Sequence, residues 1–128
     1  MTDSPVLTSW RDGDTDPLIE TLAPDAVFSS PVADYRGRST VGHMLGLISR
    51  VLDEPVPVRR WSLDHDNVYR FRARVGRDEV QGILHEERDE AGQLAHITLF
   101  LRPYSALREA IRAMSRLLEQ SPPAGPSA

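Results

Sequence analysis

Apolar positions follow a helical period at both ends of the chain and a two-residue period between them. Val6, Leu7 and Trp10 predict a first helix within residues 5–13, which "GDTDP" breaks. Asp16 reads as an N-cap with Pro17 at the first helical position, so "PLIETLA" starts a short second helix that Pro24 stops. "DAVFSSPV" (25–32) is β-branched and aromatic enough for a strand, and "YRGRS" turns the chain into a third helix over 38–53. There Val41, Met44, Leu45, Ile48, Val51 and Leu52 recur on one side until "DEPVP" ends the run. Four strands follow, at 57–65, 67–75, 78–88 and 93–102, with "HDN", "GR" and "DEAG" as their turns. A last helix over 105–120 carries Leu107, Ile111, Met114, Leu117 and Leu118 on one side. No repeat or domain break interrupts residues 1–120, and the Pro/Gly/Ser-rich "SPPAGPSA" (121–128) reads as a disordered tail. Helices, one strand, a long helix and an antiparallel meander predict an α+β domain, with helices on one face of a bent sheet.

The hairpins can be paired from the sequence. With Gly76 and Arg77 at the centre of a turn, Val75 faces Asp78, Arg74 faces Glu79, Arg72 faces Gln81, Phe71 faces Gly82 and Tyr69 faces Leu84. One face then holds Tyr69, Phe71, Ala73, Val80, Gly82 and Leu84. The other holds Arg70, Arg72 and Arg74, which cannot all be buried unpaired, so the first face is the inner one. A three-residue loop closed by a left-handed Gly92 sets Arg88 opposite Leu94 and Glu86 opposite His96. Strict alternation from there sends His96, Thr98, Phe100 and Arg102 inward and the apolar row Ile97, Leu99 and Leu101 outward. Such an outer row needs a cover, which a second copy of the chain would supply as a homodimer. A slip of one residue at this loop would exchange the two rows.

Composition narrows the chemistry. All 15 basic residues are arginine and cysteine is absent, so there is no Schiff-base lysine, no thiolate and no disulfide. The net charge of -4 gives no basic footprint for nucleic acid. The N-terminus lacks the pattern of a signal peptide and no run is long enough to span a bilayer, so the expected location is cytoplasmic and no membrane partner is expected. "HEERD" at 85 lacks the second histidine of a zinc motif, no pair of histidines has metal-ligand spacing, and no glycine-rich phosphate loop is present. No metal and no cofactor is therefore expected.

Four phrases, "WRDGDTDPLIETLAPDAVFSSPV", "YRGRSTVGHML", "VYRFRARVGRDEVQGIL" and "DEAGQLAHITLFLRP", together resemble the SnoaL-like branch of the nuclear-transport-factor-2-like (NTF2-like) superfamily over most of residues 10–103. The resemblance implies a cone with a cavity between helices and sheet. It also implies a choice among polyketide cyclases, ketosteroid isomerases, limonene epoxide hydrolases and non-catalytic binders, which fold alone cannot make. It points to a dimer as well. Epoxide-hydrolase-like relatives carry a catalytic Asp in a stretch like "WRDYFD", where this chain has "FLRPYS" and Arg102, so that mechanism does not carry over.

The expected site follows from the register. Glu86 and His96 would form a general acid/base pair, or else a polar pair at a wet rim. Arg102, with Tyr104, would hold a developing oxyanion, or else pair with a nearby acid. Trp10, Phe28, Tyr69, Phe71, Phe100 and Met44 would line an apolar cavity, joined by Leu84 and Thr98 on the inner face, although core packing explains such residues equally. Asp34 and Tyr35 lie near the place where isomerase-like relatives keep a base, but "ADYRG" is also a plain turn. His43, His65 and His85 are expected to point outward. The resulting expectation is an apolar polyketide-, terpenoid- or steroid-like substrate undergoing isomerisation, cyclisation or hydration, with ligand binding without chemistry, or a dimerising scaffold, as alternatives.

Overall fold

Ser4 opens the first helix, its hydroxyl accepting the Leu7 N–H at 3.0 Å. The computed structural model describes residues 4–123, so most of the expected tail, 124–128, lies outside the described residues. Helix α1 (Pro5–Asp12) ends at Gly13 in the left-handed conformation, and α2 (Asp16–Thr21) follows with Pro17 in its first turn. Strand β1 (Leu22–Ser29) starts earlier than expected and takes in Pro24, whose missing N–H falls where pairing with the neighbouring strand is irregular. Residues expected to turn form a short edge strand, β2 (Asp34–Arg36). Helix α3 (Arg38–Ile48) stops sooner than the apolar spacing suggested; Val51 and Leu52 are buried from the turn beyond it.

The meander is β3 (Asp53–Leu63), β4 (Asp66–Val75), β5 (Asp78–Arg88) and β6 (Leu94–Arg102), and α4 (Tyr104–Gln120) closes the chain. The six strands form one curved sheet in the order β2-β1-β6-β5-β4-β3, with β1 and β6 parallel and the other pairs antiparallel. The β4–β5 hairpin has the expected register throughout, and its inner row of Tyr69, Phe71, Ala73, Val80 and Leu84 is buried against the helices. The Phe71 ring lies across Gly82, where a Cβ would sit 2.3 Å from it, and meets Trp10 at 5.9 Å between ring centroids.

The last hairpin departs from expectation by one residue. Gly92 is left-handed and Arg88 pairs with Leu94, as expected, but Glu87 then pairs with His96, and Ala95 is the extra residue of a β-bulge. Every later position changes face. Glu86 pairs with Ile97, Leu84 with Leu99 and Gly82 with Leu101. Ile97 and Leu99 are buried and Leu101 packs against the core, while His96, Thr98, Phe100 and Arg102 lie on the outer face. Energetics explain the choice. Strict alternation from the buried Leu94 would bury an imidazole and a guanidinium and expose three large aliphatic side chains. A bulge costs only local ladder pairing, far less than burying unpaired ionisable groups.

Candidate functional site

The space left between helices and sheet is a partly open cavity of about 120 Å³. Phe28 from β1, Tyr35 from β2, Met44 and Ile48 from α3, Leu99 and Leu101 from β6, and Ile111, Met114 and Leu118 from α4 supply most of its wall. Phe28 and Tyr35 stack with centroids 6.2 Å apart. Among the described residues, polar side chains reach the wall only from Ser30, Tyr35 and Ser115, and no carboxylate, imidazole or guanidinium lines it. Helix α4 roofs this space lightly. Only Ala106 and Ala110 of its length are fully buried, while Leu107, Ile111, Met114 and Leu118 are half-buried along the cavity.

The structure separates the residues expected to act together. Glu86 is fully buried on the inner face, does not line the cavity, and does not face His96. Its carboxylate accepts the Ser4 hydroxyl at 2.5 Å and the Val6 N–H at 3.4 Å, at the start of α1. Burial pushes its pKa up to about 7, against the lowering effects of Ser4, Val6 and Arg88. Its second oxygen, Oε1, has no hydrogen-bond partner. His96 lies on the outer face between Ser29, whose Oγ is 2.8 Å from Nε2, and Glu87, whose Oε2 is 3.5 Å from Nδ1. Arg102 is exposed at the end of β6 and donates to Gln81 Oε1 at 2.6 Å. Tyr104 is 72% exposed on the first turn of α4.

Of the side chains expected to bind substrate, Phe28 lines the cavity, and most of the others stand elsewhere. Trp10 is buried in the core, donating its indole N–H to Leu45 O at 3.0 Å, and Phe71 and Leu84 pack with it there. Tyr69 is buried farther along the sheet, beside Pro55 and Pro57. Thr98 and Phe100 are on the outer face because of the bulge, Phe100 being 58% exposed. Met44 does line the cavity, as expected. Tyr35, Leu99, Leu101 and the apolar side of α4 were missed as wall residues. The spacing Leu94–Ile97–Leu99–Leu101, three and then two and two, was the available signal for the bulge. The outer row on which a dimer was argued, Ile97, Leu99 and Leu101, turns inward; the apolar residues that do face outward include Trp61, Ile83 and Phe100.

No family model matches the sequence, and no curated protein does. Solved structures do. A steroid delta-isomerase from Pseudomonas aeruginosa superposes with a TM-score of 0.83 and 27% identity, covering 92% of this chain and 94% of that one. An uncharacterised protein with a cystatin-like fold from Silicibacter pomeroyi gives 0.84 at 23% identity, over 91% and 87%. An NTF2-like protein of unknown function from Cytophaga hutchinsonii gives 0.68 at 7% identity, over 84% and 97%. Among the described residues no helix is long and apolar enough to cross a membrane. The bent mixed sheet, the helices packed on its inner side and these likenesses agree: the chain has the NTF2-like cone fold.

Proposed function

We propose that the cavity binds an apolar small molecule and that the chain acts as a binding domain, without acid/base chemistry by His96, Glu86 or Arg102. The observation that supports this reading is the wall itself, which among the described residues offers hydroxyls and hydrocarbon but no carboxylate, imidazole or guanidinium. A general base has to lie within hydrogen-bond reach of the proton it takes. Ligand sites commonly run to roughly 300–1,000 Å³, so the about 120 Å³ here suits a monocyclic or short-chain molecule. A larger one requires α4 to move outward, which its shallow docking through Ala106 and Ala110 favours.

The test is a thermal-shift screen with monocyclic terpenoids, cyclic enones and simple aromatics, against wild type and Met114→Trp. A ligand at about 100 times its dissociation constant adds roughly 2.7 kcal/mol, or about 10 °C in Tm for a domain of this size. The indole of Met114→Trp fills the cavity and removes the shift. A screen without shifts, or shifts of equal size in the variant, would refute the proposal.

The 27% identity to a steroid delta-isomerase favours a second reading, isomerisation of an unsaturated ketone. Such chemistry uses a carboxylate base and a neutral acid or phenol to hold the enolate oxygen. Tyr35 could supply the phenol, and Glu86 is the buried carboxyl nearest that description, although it points at α1. Turnover of a β,γ-unsaturated ketosteroid by wild type, lost in Glu86→Gln and Tyr35→Phe while both remain folded, would replace the binding reading.

A further inference from the structure

The bulge that empties the cavity of ionisable groups gathers them on the opposite face. His96 on β6 pairs with Glu87 on β5, and Glu87 pairs with Asp66 on β4; His85 stands two residues from Glu87 on the same face. His85 Nε2 is 3.4 Å from Asp66 Oδ2, and its Nδ1 is 3.8 Å from Glu87 Oε2. The same Glu87 oxygen lies 3.5 Å from His96 Nδ1. With one atom from each of Asp66, His85 and Glu87, all three lie within 4.8 Å of one another, and all three residues are half-buried.

We propose that these four side chains form a binding site for a divalent transition metal, zinc being the ion it suits best. Two imidazoles and two carboxylates are a usual zinc donor set, whereas calcium and magnesium prefer oxygen alone. Ligands at zinc distances on a tetrahedron lie roughly 3.3–3.6 Å apart; one donor atom from each of Asp66, His85 and Glu87 lies within 4.8 Å of the other two, and His96 Nδ1 is 3.5 Å from a Glu87 oxygen, so side-chain rotations have to draw the set together on the ion. Ser29 supplies the outer support that such sites use. Its Oγ is 2.8 Å from His96 Nε2, so with Nε2 protonated and donating to Ser29, the Nδ1 lone pair is left for the metal. A dication also relieves the repulsion between Asp66 and Glu87. Three neighbouring strands fix the backbone of all four ligands, so little order has to be gained on binding.

The series Ser29–His96–Glu87 also has the order of a hydrolytic triad, but it lacks donors for an oxyanion. Strands β1, β5 and β6 each have neighbours on both sides, so their amides lie in the sheet plane and serve the ladders.

Calorimetric titration of zinc chloride into the tag-free full chain tests the site, with cobalt(II) visible absorption as a report on tetrahedral nitrogen/oxygen coordination. One ion per chain is expected. His85→Ala and His96→Ala should each weaken binding about tenfold or more, and Ser29→Ala about tenfold. His43→Ala and His65→Ala should leave it unchanged. All the replaced side chains are half-buried or exposed, and thermal melts establish that each variant is folded. Absence of saturable zinc binding would overturn the site, as would binding that survives the His85→Ala/His96→Ala double replacement.

Discussion

Replacing Glu86 by glutamine isolates the cost of burying one carboxylate. Folding raises the Glu86 pKa from 4.5 to about 7 because the side chain leaves water for the space between β5 and α1. The folded state therefore holds its proton more tightly than the unfolded state does. Glu86 contributes most to stability below about pH 4.5, and that contribution is lost as pH rises through about 7. At 1.36 kcal/mol per pH unit, the whole effect is about 3 kcal/mol, most of it falling between about pH 5 and pH 8. Glutamine does not titrate, and its unmatched amide adds an offset that is the same at every pH. Urea unfolding of wild type and Glu86→Gln at several pH values removes that offset, because only the change in the difference matters. The variant should gain about 2–3 kcal/mol on wild type between about pH 5 and pH 8. A difference that stays flat with pH would refute the reasoning, since it would mean that Glu86 titrates alike folded and unfolded. A difference that narrows toward alkaline pH would show that Ser4, Val6 and Arg88 outweigh desolvation.

Gly82→Ala places a methyl against the Phe71 ring, 2.3 Å from its nearest atom before any adjustment, and should lower stability by about 1–3 kcal/mol. Urea denaturation of Gly82→Ala, Phe71→Leu and the double variant should show that the two losses are not additive. Deleting Ala95 removes the bulge and sends Ile97, Leu99 and Leu101 outward, so calorimetry should find no cooperative unfolding transition. We propose that a second copy of the chain covers Trp61, Ile83 and Phe100 on the outer face; light scattering should then give a dimer for wild type and a monomer for Phe100→Glu, and a monomeric wild type would reject it.

Local chemistry made much of the fold legible in the sequence. Pro17 and Gly13 mark the break between α1 and α2, Gly76 sets the β4–β5 turn, and three arginines in one row identify the outer face of that hairpin without any structure. The inner row followed because two strands joined by a tight turn have little choice of register. The site was not legible in the same way. Side chains alternate with period two, so one inserted residue at Ala95 exchanges every position from His96 onward, and the turn at Gly92 reads the same with or without it. Leu94 and Ile97 are both buried, three residues apart, and only the cost of enclosing His96 and Arg102 against a packed sheet decides for the bulge. Tertiary structure alone also determined that Glu86 meets Ser4 from the far end of the chain, and that Asp66, His85, Glu87 and His96 converge from three strands. No spacing along the sequence encodes those meetings, because they depend on which strands become neighbours and on which face each side chain then stands.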